Sequence, residues 1–398
     1  MKPFLQAHAS HPDWRLALAM VQPQLEAQRR ERAPFEPTLG WVYLCDHHAA
    51  GAEALLAELQ RHWPGVAWSG SVGVGVAASG VEYFDEPGLS VMLAELPRES
   101  FRVFSGARPL GGFAAFSAQV HADPATPDLA ELITDMSDRT ASGYLFGGLA
   151  SARTRTLHIA DAVLGGGLSG VAFGSGVGLV SRVTQGCQPV GRSRTVTGST
   201  ANVITTLDGE PALDCLLADL GLAGREPRDA LPQIRQTLVG LSDPADRGAD
   251  GGAARRGAFG PDTRVRHLVG LDPARRGIAI GDAAPEGLQL AFCQRNTEAA
   301  RRDLVRICAE IREELAPQEE AVPALPGAAA EQPGSGIAGA IYVSCSGRGG
   351  PHFGGASAEL QIVRHALGDV PLAGFFAAGE IARHHLYGYT GVLTVFRS

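Results

Sequence analysis

Tyr342-Val343-Ser344-Cys345-Ser346-Gly347-Arg348-Gly349-Gly350, answered by Pro371-Leu372-Ala373-Gly374-Phe375-Phe376-Ala377-Ala378-Gly379-Glu380, is the stretch on which the fold turns. In each half an apolar run breaks into glycine. A thiol, a hydroxyl and a guanidinium emerge at the first break and a carboxylate at the second. Between them, residues 356–367 place Leu360, Val363 and Leu367 on one helical face. Strand, glycine-rich loop, helix and strand form a βαβ unit, whose right-handed crossover makes the strands parallel and brings both strand ends to one edge. Open α/β sheets bind ligands beyond the carboxyl ends of their strands. Ser346, Arg348 and Glu380 are therefore the expected polar ligand contacts, with Cys345 lining the site. Gln185 and Cys187, from the compact polar turn 185–191, are expected to line it too.

The start of the chain has the same order. Gly40-Trp41-Val42-Tyr43-Leu44-Cys45 reads as a strand ending at Asp46-His47-His48. Residues 52–62 follow as a helix, 66–73 as a strand running into glycines, and 89–96 as another strand. Tyr43-Leu44-Cys45 stands where Val343-Ser344-Cys345 stands, so a duplicated strand-helix-strand unit is expected. The predicted class is α/β, with two domains of mixed sheets and helices packed on them. The domains expected are 1–205 and 206–398, with surface loops over 241–260 and 316–336, where Gly, Ala, Pro and Asp crowd together. The cleft between two such halves is the default binding site.

The bulk composition excludes several classes. Hydrophobic residues make up 45% and charged residues 19% of the 398, which is ordinary for a soluble globular protein. A net charge of −8 leaves no basic footprint for nucleic acid. Six cysteines without a C-x-x-C pair argue against a zinc ribbon, a thioredoxin-like motif or a disulfide framework, and suggest reduced thiols in the cytoplasm. The N-terminus lacks the apolar core of a signal peptide, and no run reaches the roughly 18 apolar residues of a membrane span.

Several stretches, in order, carry a family likeness. They are His11-Pro12-Asp13-Trp14, the turn 70–75 with Glu82 after it, Phe146-Gly147-Gly148-Leu149-Ala150, Gln185-Gly186-Cys187-Gln188-Pro189-Val190-Gly191, Leu207-Asp208-Gly209-Glu210-Pro211-Ala212-Leu213, and the two closing stretches quoted above. In this order they resemble the FIST family, proteins with paired FIST N-terminal and C-terminal domains. The likeness covers nearly the whole chain. It implies a bacterial cytoplasmic sensory module that binds a small ligand such as an amino acid and signals through a separate protein partner. Some members resemble haem-binding nitric oxide sensors. Many members carry Cys where this chain has Ser71.

Two other functions are weighed against ligand sensing. A cytoplasmic hydrolase or transferase would use Cys345 or Glu380, against the plainer reading of Cys345 as a small buried residue at a strand end. Arg348 suits a ligand carboxylate, or equally an ion pair with Glu380 or another carboxylate. For haem or a metal, His47, His48, His384 and His385 are the donors, with His352 nearby in sequence. Adjacent histidines on a strand point to opposite faces, and no H-E-x-x-H spacing occurs, so surface histidines and no cofactor are expected. The glycine runs at 73–80 and 165–170 match no phosphate-binding loop, and no G-x-S-x-G is present.

Overall fold

The computed structural model describes residues 4–224, 227–244, 259, 263–316 and 336–398. It is an α/β protein, 27% helix and 40% strand, built from several mixed sheets. Two compact units emerge, one of Met1–Thr184, Arg301–Leu386 and Thr390–Ser398, the other of Gln185–Ala300 with Tyr387–Tyr389. The loops expected over 241–260 and 316–336 lie almost entirely outside the described residues, although Leu241 and Ser242 close the strand Leu238–Ser242.

In the first unit one chain path recurs three times, where the sequence reading expected a twofold duplication. Each copy runs strand, helix, parallel strand, short hairpin, antiparallel return strand. The first consists of Leu39–Cys45, Ala52–His62, Ala67–Gly73, the hairpin Gly75–Ala78 with Val81–Phe84, and Gly88–Ala94. The second consists of Ser117–Ala122, Leu129–Asp138, Tyr144–Leu149, the hairpin His158–Ala160 with Val163–Leu164, and Leu168–Phe173. The third consists of Ile337–Cys345, Ala358–Leu367, Leu372–Ala377, then Glu380–Ala382 with His385–Tyr387, and Thr390–Arg397.

Each hairpin leaves its own sheet for another copy's. Gly75–Ala78 pairs with Leu372–Ala377, His158–Ala160 with Ala67–Gly73, and Glu380–Ala382 with Tyr144–Leu149. The strands Phe4–Ser10, Phe101–Ser105 and Leu179–Gln185 complete the other edges, giving three six-stranded sheets of one strand order. An unpaired strand edge is an aggregation hazard. Here each copy covers the edge of the copy before it, the first covering the third's, so no sheet is complete without a second copy.

Two local features follow from this closure. Gly70, Gly147 and Gly374 hold the same place in the three second strands, and a Cβ at each would overlap the carbonyl oxygen of Val42, Val120 or Tyr342. Glycine in a strand marks such close backbone approach. The first strands are buried on both faces, and those of the first and third copies read as near-continuous apolar runs for that reason. Val42 and Leu44 share a core with Leu55, Leu56 and Leu59 of the following helix. On the other face Tyr43 meets His121 and Phe375, ring centroids 5.6 and 5.3 Å away.

Ser151 ties the three copies where their second strands end. Its N–H donates to Val72 O at 3.2 Å, its Oγ accepts from Val74 N–H at 2.9 Å, and the hydroxyl donates to Phe376 O. Ser151→Ala is expected to lower stability by about 1–3 kcal/mol, because two backbone groups lose their partner. Urea unfolding reports this as a lower midpoint at unchanged slope; an unchanged midpoint would contradict it.

In chain order, the second unit is inserted between Leu179–Gln185 and the helix Thr297–Leu315. Arg194–Thr200, Val203–Leu207, Gly277–Ile280, Arg264–Asp272, Leu238–Ser242 and Gln289–Arg295 pair antiparallel in that order, and the last pairs back onto the first. Closing the ring removes its edges. Its core includes Leu207, Val239 and Phe292 with Leu216 from the helix Ala212–Asp219.

Candidate functional site

Cys345 ends its strand in register with Ala377, and Glu380 opens the hairpin that follows. The parallel pairing therefore brings thiol and carboxyl together. Glu380 is fully buried. Its Oε2 accepts from Thr390 N–H at 3.1 Å and Thr390 Oγ1–H at 2.7 Å, while Oε1 is buried without a hydrogen-bond partner. Burial pushes this carboxyl up to about 8, against the pull of the Thr390 bonds, the Arg348 charge and the Cys345 thiol. Burial thus favours the protonated form of Glu380 towards neutral pH.

This has a consequence for stability. The folded chain holds a proton that an unfolded carboxyl of ordinary value 4.5 has released, so this group's contribution falls as pH rises from about 4.5 towards 8. Glu380→Gln is expected to flatten that decline. Thermal unfolding of both proteins between pH 5 and 8 checks it, and parallel curves would refute it.

Arg348 is buried, with a partner at each nitrogen. Nε–H donates to Glu359 Oε1 at 3.1 Å, Nη1–H to Thr184 O at 2.9 Å and Nη2–H to Thr184 Oγ1 at 3.1 Å, while the guanidinium lies 5.2 Å from the Phe353 ring centroid. Of the two readings weighed for Arg348, the structure shows the ion pair, made with Glu359. Glu359 also accepts from Tyr342 Oη–H at 2.6 Å and from Ser344 Oγ–H at 3.0 Å. It stands in the first turn of the helix Ala358–Leu367, where the helix dipole favours an anion. At the same helix start, Glu82 Oε1 accepts from Leu360 N–H at 3.0 Å and Oε2 is buried without a partner. Burial, then the Glu359 charge, raises Glu82 to about 7.

Ser346 is half-buried, its N–H donating to Ala377 O at 2.8 Å. Cys345, Ser346, Arg348 and Glu380 thus share one neighbourhood in the first unit. Gln185 and Cys187 belong to the second. There Gln185 Nε2–H donates to Thr263 O at 3.1 Å, and Cys187 packs with Leu238, Val265 and Cys293.

The threefold path supplies counterparts for this site. Counting from the residues that face Gly70, Gly147 and Gly374, Cys345 corresponds to Cys45 and Asp123, and hairpin pairing matches Glu380 with Val76 and His158. The Cys45 thiol donates to Tyr83 O at 3.6 Å and is pushed by burial up to about 12. Asp123 accepts from the N–H groups of Ala125 and Gly166, and His158 Nδ1 meets Ser169 Oγ at 2.6 Å. Only the third strand end leaves a carboxyl oxygen unpartnered.

The histidines behave differently from one another. His47 and His48 lie on the short helix Asp46–Gly51 rather than on a strand. His47 is exposed, 3.5 Å from Asp46, whereas His48 is buried and its pKa is lowered by burial to about 4. His384 is exposed and His385 half-buried, their ring centroids 4.0 Å apart. Of the four, His48 alone is buried. Among the described residues no three His, Cys, Asp or Glu side chains gather to hold a metal ion.

Sequence reasoning missed Glu359, Thr184 and Thr390. Glu359 had a signal, an acidic residue in a first helical turn. The two threonines had none.

Polar strand ends around an unsatisfied buried carboxyl, on an α/β frame, are the makings of a small-ligand site. The family models place the chain: the FIST N domain matches residues 38–210 and the FIST C domain 212–383, so the chain belongs to the FIST family. FIST domains are small-ligand-binding sensory domains of signalling proteins. The chain is 32% identical over 387 residues to the uncharacterized protein Rv0628c of Mycobacterium tuberculosis H37Rv, covering 92% of this chain and 93% of that one. It is also 32% identical over 369 residues to the uncharacterized protein Mb0898c of Mycobacterium bovis, covering 88% of each. Among the described residues no helix is long and apolar enough to cross a membrane.

Proposed function

We propose that this chain is a sensory protein that binds a small amine-bearing metabolite, amino-acid-like, at Glu380 and signals through a separate protein. The supporting observation is Glu380 Oε1, a buried carboxyl oxygen without a hydrogen-bond partner, close in the fold to the strand end that runs into half-buried Ser346 and Gly347. A buried polar group left unmade costs about 1–3 kcal/mol, a cost that a ligand N–H removes. An ammonium group arriving there also favours the ionised carboxylate, so binding releases the Glu380 proton. Arg348 supports the site as a strut, holding the 346–350 loop to Thr184 and Glu359. Ser346 and Cys345 line the approach.

Native mass spectrometry of the protein purified from its source tests this reading, with a visible spectrum recorded alongside. A retained small amine in the wild type, absent from Glu380→Gln, is the expected result. A haem mass with a Soret band, or a ligand retained equally by Glu380→Gln, would overturn it. An enzyme reading draws on the thiol beside the carboxyl; Cys345→Ala abolishes turnover of the retained compound if catalysis occurs, and leaves its affinity nearly unchanged if the protein only binds.

A further inference from the structure

A pocket of about 620 Å³ opens on the first unit between Arg98–Phe101, Arg102, Gly112–Ala114 and Gly174–Gly176. That volume suits a small organic ligand. It shares no residue with the Glu380 neighbourhood. Arg98 and Arg102 both line it, both are exposed, and neither guanidinium makes an ion pair or hydrogen bond among the described residues. In a chain of net charge −8, other arginines of the first unit, such as Arg108 and Arg153, pair with a carboxylate. Arg102 instead stacks by the ring of Phe113, 5.8 Å from its centroid. Gly112, Ala114, Ser175 and Gly176 line the same space, and their backbone N–H groups donate to no other described residue.

We infer that this pocket binds a small organic anion, a carboxylate or a single phosphate carried on a flat ring. The two guanidinium forks match an oxyanion bidentately, and free amides in adjacent turns add donors that suit the same charge. The face of Phe113 receives the ring. Glu99, on the same wall, repels dense charge and so disfavours polyphosphates.

The test is calorimetric titration of the full chain with benzoate, adenosine 5′-monophosphate and adenosine, in low-chloride buffer. Benzoate binding alone identifies a carboxylate ligand, and nucleotide binding alone a phosphate; either supports the site. Adenosine, a ring without an anion, is expected to bind at least about tenfold more weakly than the nucleotide. Arg98→Ala and Arg102→Ala should each weaken the bound anion by about tenfold, the usual size of a charged hydrogen bond, with an unchanged melting temperature since both side chains are exposed. Glu380→Gln should leave this binding intact. No anion binding at millimolar concentration would overturn the inference, as would affinity unchanged in the double arginine variant or adenosine binding as tightly as the nucleotide.

Discussion

Glu359→Ala is expected to destabilise the protein by about 3–5 kcal/mol, because it removes one partner of a buried ion pair and strands the other. Arg348 would lose its carboxylate while remaining fully enclosed, and Tyr342 Oη–H and Ser344 Oγ–H would lose their acceptor at the same stroke. Chemical denaturation gives the change directly. The double variant Glu359→Leu with Arg348→Met separates the cost of a stranded charge from the worth of the pair. Apolar replacement of both partners of a buried pair is often close to neutral, so the double variant should recover most of the loss. A double variant as unstable as Glu359→Ala would mean that the pair itself, with its hydrogen bonds, carries the stability.

Gly147→Ala is expected to cost more than about 4 kcal/mol or to prevent folding, at the upper end of single-substitution effects. Two causes act together. A Cβ would overlap Val120 O on the parallel neighbour, and Gly147 has φ +142, a region L side chains rarely adopt. The neighbouring atoms are backbone in a sheet centre, so no rotamer change relieves the overlap. Gly176→Ala, where a Cβ meets nothing within 4 Å, should shift stability by less than about 0.5 kcal/mol. Comparable melting temperatures for the two variants would show that the strands can separate to admit a methyl group.

The neighbourhood of Cys345 and Glu380 was legible in the sequence. The break of an apolar strand into Ser346-Gly347-Arg348-Gly349-Gly350 announced a polar strand end, and the parallel crossover placed Glu380 beside Cys345. The nature of Arg348 was not readable. Its partners Thr184 and Glu359 lie far away in sequence and on a helix start respectively. A guanidinium among glycines looks the same whether it awaits a ligand or already holds a carboxylate. Likewise Gln185 and Cys187 read as members of a polar turn, but their compact unit is the inserted ring of strands.

By itself the sequence determined local events: where the strands of the first and third copies stop, which helices carry an apolar face, and the family. Those depend on periodicity and on glycine or proline at particular positions, which neighbours in the chain record. Tertiary structure alone decided which sheet each hairpin joins, that the repeat is threefold, and that Glu380 keeps an unpartnered oxygen while Asp123 does not. Those outcomes depend on partners brought together only when the sheets close on one another. The middle copy, with Gln119 and His121 where the first has Trp41 and Tyr43, hides the repeat because close packing preserves the path of the backbone without preserving the residues along it.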